Sequence, residues 1–194
     1  MNHLAHLALA GDETPLLLGA ILGDHVKGRL KGEFPAAIER GIHLHRAIDA
    51  YTDQHPLVGA CLERLAPGFR RYGGIMLDVQ FDYFLANNFE QYHEQSLASF
   101  SLHTLGKIAA HSDKLPAPAS QQVQRMHQRN SLAHHGTDAY LENALIHLST
   151  RLKHDNPLAE AYAECRRLEP QVRRDFENFY PDLMSYVSDW KTQH

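Results

Sequence analysis

The sequence has few cysteines and no long hydrophobic run. Its two cysteines, Cys61 and Cys165, are too few for a disulfide framework and lack the CxxC spacing of a zinc site. The most apolar segment, residues 16–22, is much shorter than the roughly 20 residues that span a bilayer. Residues 1–13 contain no Lys or Arg ahead of their short apolar stretch, so a signal peptide is not expected. These absences predict a protein of the reducing cytoplasm that does not enter a membrane.

Strand signals and the common nucleotide-binding and hydrolase motifs are also missing. The chain has no β-branched runs, and no Asn-Gly or Asp-Gly pair separates alternating segments. It contains no P-loop, no GxGxxG, no GxSxG and no HExxH. The formal net charge of −4 argues against a nucleic acid as the partner.

Apolar residues recur instead at helical spacing, among the Ala, Leu, Glu, Gln and Arg that favour helices. At 194 residues the chain suits one domain with a real core, so we predict a single all-α domain over residues 1–194, a bundle of about eight to ten helices. The predicted helices cover approximately residues 2–10, 14–27, 35–53, 56–65, 69–88, 96–110, 121–129 and 137–153. A further helix begins near Pro157 and is predicted to be interrupted at Pro170, with a last helix after Pro181.

Histidines and aspartates are what the sequence has in quantity, and several fall at helical spacing within the first 82 residues. His45, Asp49 and Asp53 stand at i, i+4 and i+8 on one stripe of the third predicted helix. Seven histidines and aspartates lie within predicted helical segments that are otherwise largely apolar: His6, Asp24, His45, Asp49, Asp53, Asp78 and Asp82. Burying one carboxylate alone is costly, and a divalent cation shared among several of them offsets that cost.

Imidazole and carboxylate ligands suit Mn²⁺, Mg²⁺, Fe²⁺ or Zn²⁺, with no thiolate to favour zinc. Such a cation lowers the pKa of water and polarises a phosphoryl oxygen. The residue pattern therefore predicts phosphoester hydrolysis.

Structural interpretations of the same residues stay open on spacing alone. His45 and Asp49 could form an ordinary i, i+4 hydrogen-bonded pair, and Asp53 could cap the helix that opens at Pro56. The like charges of Asp78 and its i+4 neighbour need a positive group, which could be a metal or one of Arg46, Arg70 and Arg71.

Four ordered segments carry a resemblance to a known family. They are residues 2–7 (NHLAHL), 18–28 (LGAILGDHVKG), 44–56 (LHRAIDAYTDQHP) and 71–85 (RYGGIMLDVQFDYFL). In this order they resemble the acyl carrier protein phosphodiesterase family, also called acyl carrier protein hydrolyase. The resemblance implies an all-helical, HD-like protein, distantly related to the HD-type metal-dependent phosphohydrolases. It also implies removal of 4′-phosphopantetheine from the serine of holo-acyl carrier protein, with a divalent cation, most often manganese, as cofactor.

Carried over onto matching positions, the resemblance implies a metal centre at Asp24, His45, Asp49 and Asp78. The usual HD pattern has an adjacent His-Asp pair, whereas three residues separate His45 from Asp49 here. One position departs from the family pattern, because His3 stands where an aromatic residue is usual.

Four further residues match the family pattern without a settled role: His6, Asp53, His55 and Asp82. We treat His6, His55 and Asp82 as candidate catalytic residues. Either histidine is a candidate proton donor to the serine leaving group, because imidazole titrates near neutral pH.

An acidic carrier protein needs a basic surface on which to dock. Two clusters flank the predicted ligands and supply it: Lys27, Arg29 and Lys31, then Arg70 and Arg71. Positive charge there is expected to raise the encounter rate with holo-acyl carrier protein in a salt-sensitive way. The alternative is that these are ordinary solvated turn residues.

Three other functions are weighed against this one. A di-iron carboxylate protein needs two ExxH motifs, and only Glu90 to His93 supplies one. An HD-like phosphohydrolase acting on a nucleotide or another small phosphoester would use the same centre. A non-catalytic helical adaptor would bind no metal.

Overall fold

Ten α-helices and four short 3-10 turns form the protein, so the predicted all-α class is confirmed. The computed structural model describes residues 1–194. The helices are α1 His3–Ala10, α2 Thr14–His25, α3 Ala36–Gln54, α4 Pro56–Arg64, α5 Gly73–Asn87, α6 Phe89–Tyr92, α7 Leu97–Ala110, α8 Ala117–Gln128, α9 Asp138–Arg151 and α10 Ala161–Gln193. The 3-10 turns are Arg70–Tyr72, Ser112–Lys114, Ser131–His134 and Leu158–Glu160. None of the helices combines the length and the apolar character needed to cross a membrane.

Helices α2 and α3 approach each other unusually closely, because glycines face each other where they cross. A Cβ atom on Gly19 would lie 2.4 Å from the Cα of Gly41, which no side chain tolerates. The two backbones therefore pack directly against each other. This contact sets the end of α2, which carries Asp24, beside the middle of α3, which carries His45.

Helix α1 lies inside the bundle, packed against α2, α3 and α5. All of its residues from Leu4 to Ala10 are buried. The carboxylate of Asp82 on α5 accepts hydrogen bonds from the backbone N–H groups of Leu4 (2.8 Å) and Ala5 (3.1 Å), so it occupies two donors that a helix start leaves free. At the other end, the Lys191 ammonium donates to the Ala10 carbonyl at 2.9 Å.

The predicted interruptions of the C-terminal helix were wrong, because α10 runs through both Pro170 and Pro181. A proline inside a helix costs about 3 kcal/mol, since it removes one hydrogen bond and crowds the preceding turn. The buried face of α10 outweighs that cost, since a fully buried large apolar side chain contributes about 1.5–3 kcal/mol. That face consists of Leu168, Val172, Phe176, Phe179, Tyr180, Leu183 and Val187.

The starts of two other helices differ from the prediction by more than two residues. The expected helix over residues 69–88 is a 3-10 turn followed by α5, which begins at Gly73. Helix α8 begins at Ala117 instead of near Gln121, because Pro118 stands in its first turn, where a missing backbone N–H costs nothing.

Candidate metal centre

Two stacked imidazoles and one carboxylate converge where α1 meets α3. The rings of His6 and His45 lie with centroids 3.8 Å apart and planes inclined by 10°. His6 Nε2 lies 3.1 Å from Asp49 Oδ1, and His45 Nε2 lies 3.1 Å from Asp49 Oδ2. One potential ligand atom from each residue falls within 4.8 Å of the others, so the three could hold a single metal ion.

The ring of His45 is held in one orientation by the backbone of α2. Its Nδ1 lies 2.9 Å from the Ala20 carbonyl oxygen. Because a carbonyl only accepts, Nδ1 carries a proton, and Nε2 is the ring nitrogen that faces the cluster. Gly23 makes room for the ring, since a Cβ atom there would lie 2.2 Å from His45 Cγ.

His6 is buried and neutral. Neither of its ring nitrogens makes a hydrogen bond of good geometry, although Nε2 lies 3.1 Å from Asp49 Oδ1. A buried polar atom without such a partner costs free energy. Burial lowers the pKa of His6 to about 4, against the favourable influence of Asp49. A neutral imidazole with an unpaired nitrogen is the form in which histidine binds a metal.

Asp49 is ionised in this setting. Burial alone would raise the pKa of its carboxyl group, but the imidazoles of His45 and His6 outweigh that effect and hold the pKa well below its usual range. One carboxylate and two imidazoles are a donor set that suits a divalent first-row metal. The residues of the cluster therefore fit the predicted cation.

The other two predicted ligands border the cluster on separate sides. Asp24 Oδ1 lies 3.8 Å from His45 Nε2, and half of the Asp24 side chain is exposed. Asp78 Oδ1 lies 2.6 Å from the α-ammonium of Met1, which is also 3.8 Å from Asp49 Oδ1. The α-ammonium group therefore places a positive charge between the carboxylates of Asp49 and Asp78.

Asp82 lies behind the cluster, with its side chain completely buried. Besides the two amides of α1, it faces His135 Nδ1 at 3.3 Å. Asp78 and Asp82 thus have separate positive or donor partners, and neither depends on the arginines considered in the sequence analysis. Residue 135 lies between the predicted helices over residues 121–129 and 137–153, and nothing in its local sequence indicates a contact with α5.

The structure does not bring His55 and Asp53 to the cluster. His55 caps α4, with Nδ1 accepting from the Leu57 N–H at 3.3 Å, so the cap that Asp53 could have provided comes from the residue two positions later. The His55 Nε2 lies 3.5 Å from Asp182 Oδ2 on α10, and its ring packs edge-on against Phe179. Asp53 is exposed.

Two further histidines and a glutamine lie beside Asp24, although no sequence motif indicates a role for them. Gln122 on α8 contacts both His3 (Nε2 to Nε2, 3.0 Å) and His25 (Oε1 to Nε2, 2.8 Å). His3 Nδ1 lies 3.6 Å from Asp24 Oδ2. The only sequence signal was the departure from the family pattern at His3.

The predicted basic residues fall into two different settings. Lys27, Arg29 and Lys31 are all exposed in the turn that directly follows Asp24. Arg70, in contrast, donates from Nε to the Leu65 carbonyl and from Nη2 to the Glu63 carbonyl at the end of α4. Arg71 lies over the Tyr72 ring, with its guanidinium carbon 5.8 Å from the ring centroid.

A family model and several curated relatives match the chain, and they share one name. The family model described as acyl carrier protein phosphodiesterase matches residues 1–183. The protein named acyl carrier protein phosphodiesterase in Serratia proteamaculans is 32% identical over 190 residues, covering 97% of this chain and 98% of that one. The protein of the same name in Yersinia pestis is 31% identical over 185 residues, covering 95% and 96% of the two chains. No solved structure matches the chain.

Proposed function

The chain belongs to the acyl carrier protein phosphodiesterase family, and from that membership we propose that it hydrolyses the phosphodiester between 4′-phosphopantetheine and the serine of holo-acyl carrier protein. The observation that carries the proposal is the convergence of His6, His45 and Asp49. Their donor chemistry matches phosphoester hydrolysis, and they lie within the residues that the family model covers.

We assign a divalent cation, with manganese first and Mg²⁺, Fe²⁺ or Zn²⁺ as alternatives, to the side chains of His6, His45 and Asp49, bordered by Asp24 and Asp78. When bound, such a cation polarises a phosphoryl oxygen and lowers the pKa of a water molecule. The chain's own contribution is to present two imidazole lone pairs and ionised carboxylate oxygens from helices whose packing fixes them.

His6 serves in this proposal as a ligand and not as the predicted proton donor. With a pKa of about 4 it carries no proton to give near neutral pH. His55 caps α4 and packs against α10, so we assign it a structural role. Asp82 holds the start of α1, the helix that carries His6, through the two backbone amides it binds.

The exposed turn with Lys27, Arg29 and Lys31 is the docking surface that we propose for the acidic carrier protein. It follows Asp24 without an intervening acid, so a bound carrier would lie beside the metal centre. Opposite charges raise the association rate and make it depend on ionic strength. We propose the cytoplasm as the location, since both cysteines are buried free thiols.

Intact-mass measurement of the carrier protein tests the proposal. Purified protein, Mn²⁺ and holo-acyl carrier protein should yield apo-acyl carrier protein, and His45→Ala should abolish the conversion. His43→Ala is the matched control, because His43 is an exposed histidine on the same helix. Failure of the wild-type protein to convert the carrier, or full activity of His45→Ala, would contradict the proposal. Hydrolysis of nucleotides with no action on the carrier would favour the small-phosphoester alternative.

A further inference from the structure

At the edge of the metal centre, Gln122 connects α8 to α1 and to α2. Its amide nitrogen lies 3.0 Å from His3 Nε2 on α1, and its amide oxygen lies 2.8 Å from His25 Nε2 at the end of α2. The other ring nitrogen of His3, Nδ1, lies 3.6 Å from Asp24 Oδ2. A chain of side chains therefore runs from Gln122 through His3 to Asp24.

The chemistry of the amide fixes where the proton of His3 lies. An amide nitrogen only donates, so the Nε2 of His3 must accept and its proton must be on Nδ1. That nitrogen lies 3.6 Å from Oδ2 of the Asp24 carboxylate. The reverse orientation of the Gln122 amide would make Nε2 the protonated nitrogen and turn the Nδ1 lone pair toward a negative carboxylate, which is electrostatically unfavourable.

Asp24 lacks the close partners that the other two carboxylates at the centre, Asp49 and Asp78, have. Half of its side chain is exposed, and its carboxylate makes no hydrogen bond within the protein. Hydrogen bonds to water could therefore hold the carboxylate in other rotamers. Its other oxygen, Oδ1, is the one nearer the centre, 3.8 Å from His45 Nε2. An N–H group behind Oδ2 would favour the rotamer in which Oδ1 faces the centre.

We propose that Gln122 and His3 are positioning residues, and that Gln122 sets the tautomer of His3 so that its Nδ1–H holds the Asp24 carboxylate toward the metal centre. The inference rests on the metal centre of the proposed function. Partners of this kind, which orient a ligand without touching the metal, change metal affinity by about 10–100-fold when they are removed.

Two measurements without carrier protein test the inference. In ¹⁵N NMR spectra of the imidazole groups, metal-free wild-type protein should show His3 protonated at Nδ1, and Gln122→Met should lose that preference. Titration with Mn²⁺ should show at least tenfold weaker binding for Gln122→Met. Gln121→Met is the matched control, because Gln121 is an exposed residue on the same helix, and it should bind Mn²⁺ as the wild type does.

A second variant separates positioning from packing. His3→Phe removes the N–H that faces Asp24, and it should weaken Mn²⁺ binding by a similar factor. If both residues act through one contact, the double variant should bind no more weakly than His3→Phe alone. A role limited to packing α8 onto α1 and α2 would lower the unfolding free energy and leave Mn²⁺ affinity unchanged.

The outcomes distinguish this inference from the proposed function. A wild-type His3 protonated at Nε2, or a Gln122→Met variant that binds Mn²⁺ as tightly as wild type, overturns the inference alone. The protein could instead show the expected tautomer and affinity changes and yet fail to act on holo-acyl carrier protein. That result would support the inference and contradict the proposed function. A wild-type protein that binds none of Mn²⁺, Mg²⁺, Fe²⁺ and Zn²⁺ overturns both.

Discussion

Replacing Gly23 by alanine places one methyl group against the ring of His45. The added Cβ atom would lie 2.2 Å from Cγ, 2.3 Å from Cδ2 and 2.5 Å from Nδ1 of that ring. Ordinary contact begins near 3.4 Å, so the ring would have to move by about 1 Å. The ring cannot retreat freely, because His6 is stacked on it with centroids 3.8 Å apart.

A displacement of that size affects both metal binding and stability. Metal–ligand distances tolerate about 0.2 Å, and the hydrogen bond from His45 Nδ1 to the Ala20 carbonyl, now 2.9 Å, would also be strained. We expect Gly23→Ala to weaken Mn²⁺ binding at least tenfold, which corresponds to about 1.4 kcal/mol. Overpacking should also lower the unfolding free energy by about 1–3 kcal/mol.

Calorimetric titration with Mn²⁺ and urea unfolding measure the two effects. Gly59→Ala on α4 is the control, because nothing lies within 4 Å of the position its Cβ would take. That variant should bind Mn²⁺ like the wild type and gain up to about 1 kcal/mol of stability from helix propensity. If Gly23→Ala bound Mn²⁺ as tightly as the wild type, the position assigned to His45 in the centre would be wrong.

Three further predictions concern pH, the start of α1 and docking. Because burial lowers the pKa of His6 from 6.5 to about 4, the unfolded chain takes up this proton first as the pH falls. The unfolding free energy of metal-free protein should therefore drop by about 3 kcal/mol from this group between pH 6.5 and 4; urea unfolding of His6→Gln should lack that contribution, and an identical pH dependence would refute it. Asp82→Asn should lower the unfolding free energy by about 2 kcal/mol, since one acceptor oxygen cannot serve both α1 amides; the exposed Asp53→Asn should change it by less than about 0.5 kcal/mol, and equal effects would contradict the capping role. Lys27→Glu with Arg29→Glu should reduce kcat/KM for holo-acyl carrier protein about tenfold at low salt and less at high salt; a loss that does not depend on ionic strength would contradict electrostatic docking.

Local spacing predicted the parts of the site that lie on one helix. His45 and Asp49 are four residues apart on α3, so their side chains meet whatever the rest of the fold does. A hydrogen-bonded pair and a pair of metal ligands would both place these two side chains side by side, so spacing alone did not distinguish them. The third member of the cluster, His6, lies on another predicted helix, so spacing along the chain did not place it beside His45.

Long-range partners and burial set the roles that the sequence left open. Asp82 binds amides 77 and 78 residues away, so its sequence neighbours do not indicate that it holds α1. His6 was a candidate proton donor because free imidazole titrates near neutral pH, and only its burial shows that it is neutral. The course of α10 through Pro170 was missed for a related reason, since the buried face that outweighs the proline appears only in the packed bundle.

The fate of isotopically labelled water tests the central claim most directly. Protein, Mn²⁺ and holo-acyl carrier protein are incubated in H₂¹⁸O, and the carrier and the released product are both weighed by mass spectrometry. The account predicts a carrier with an unmodified serine and 4′-phosphopantetheine that has gained one heavy oxygen, as attack on phosphorus requires. An unchanged carrier, or a carrier whose serine has been converted to dehydroalanine, would contradict it.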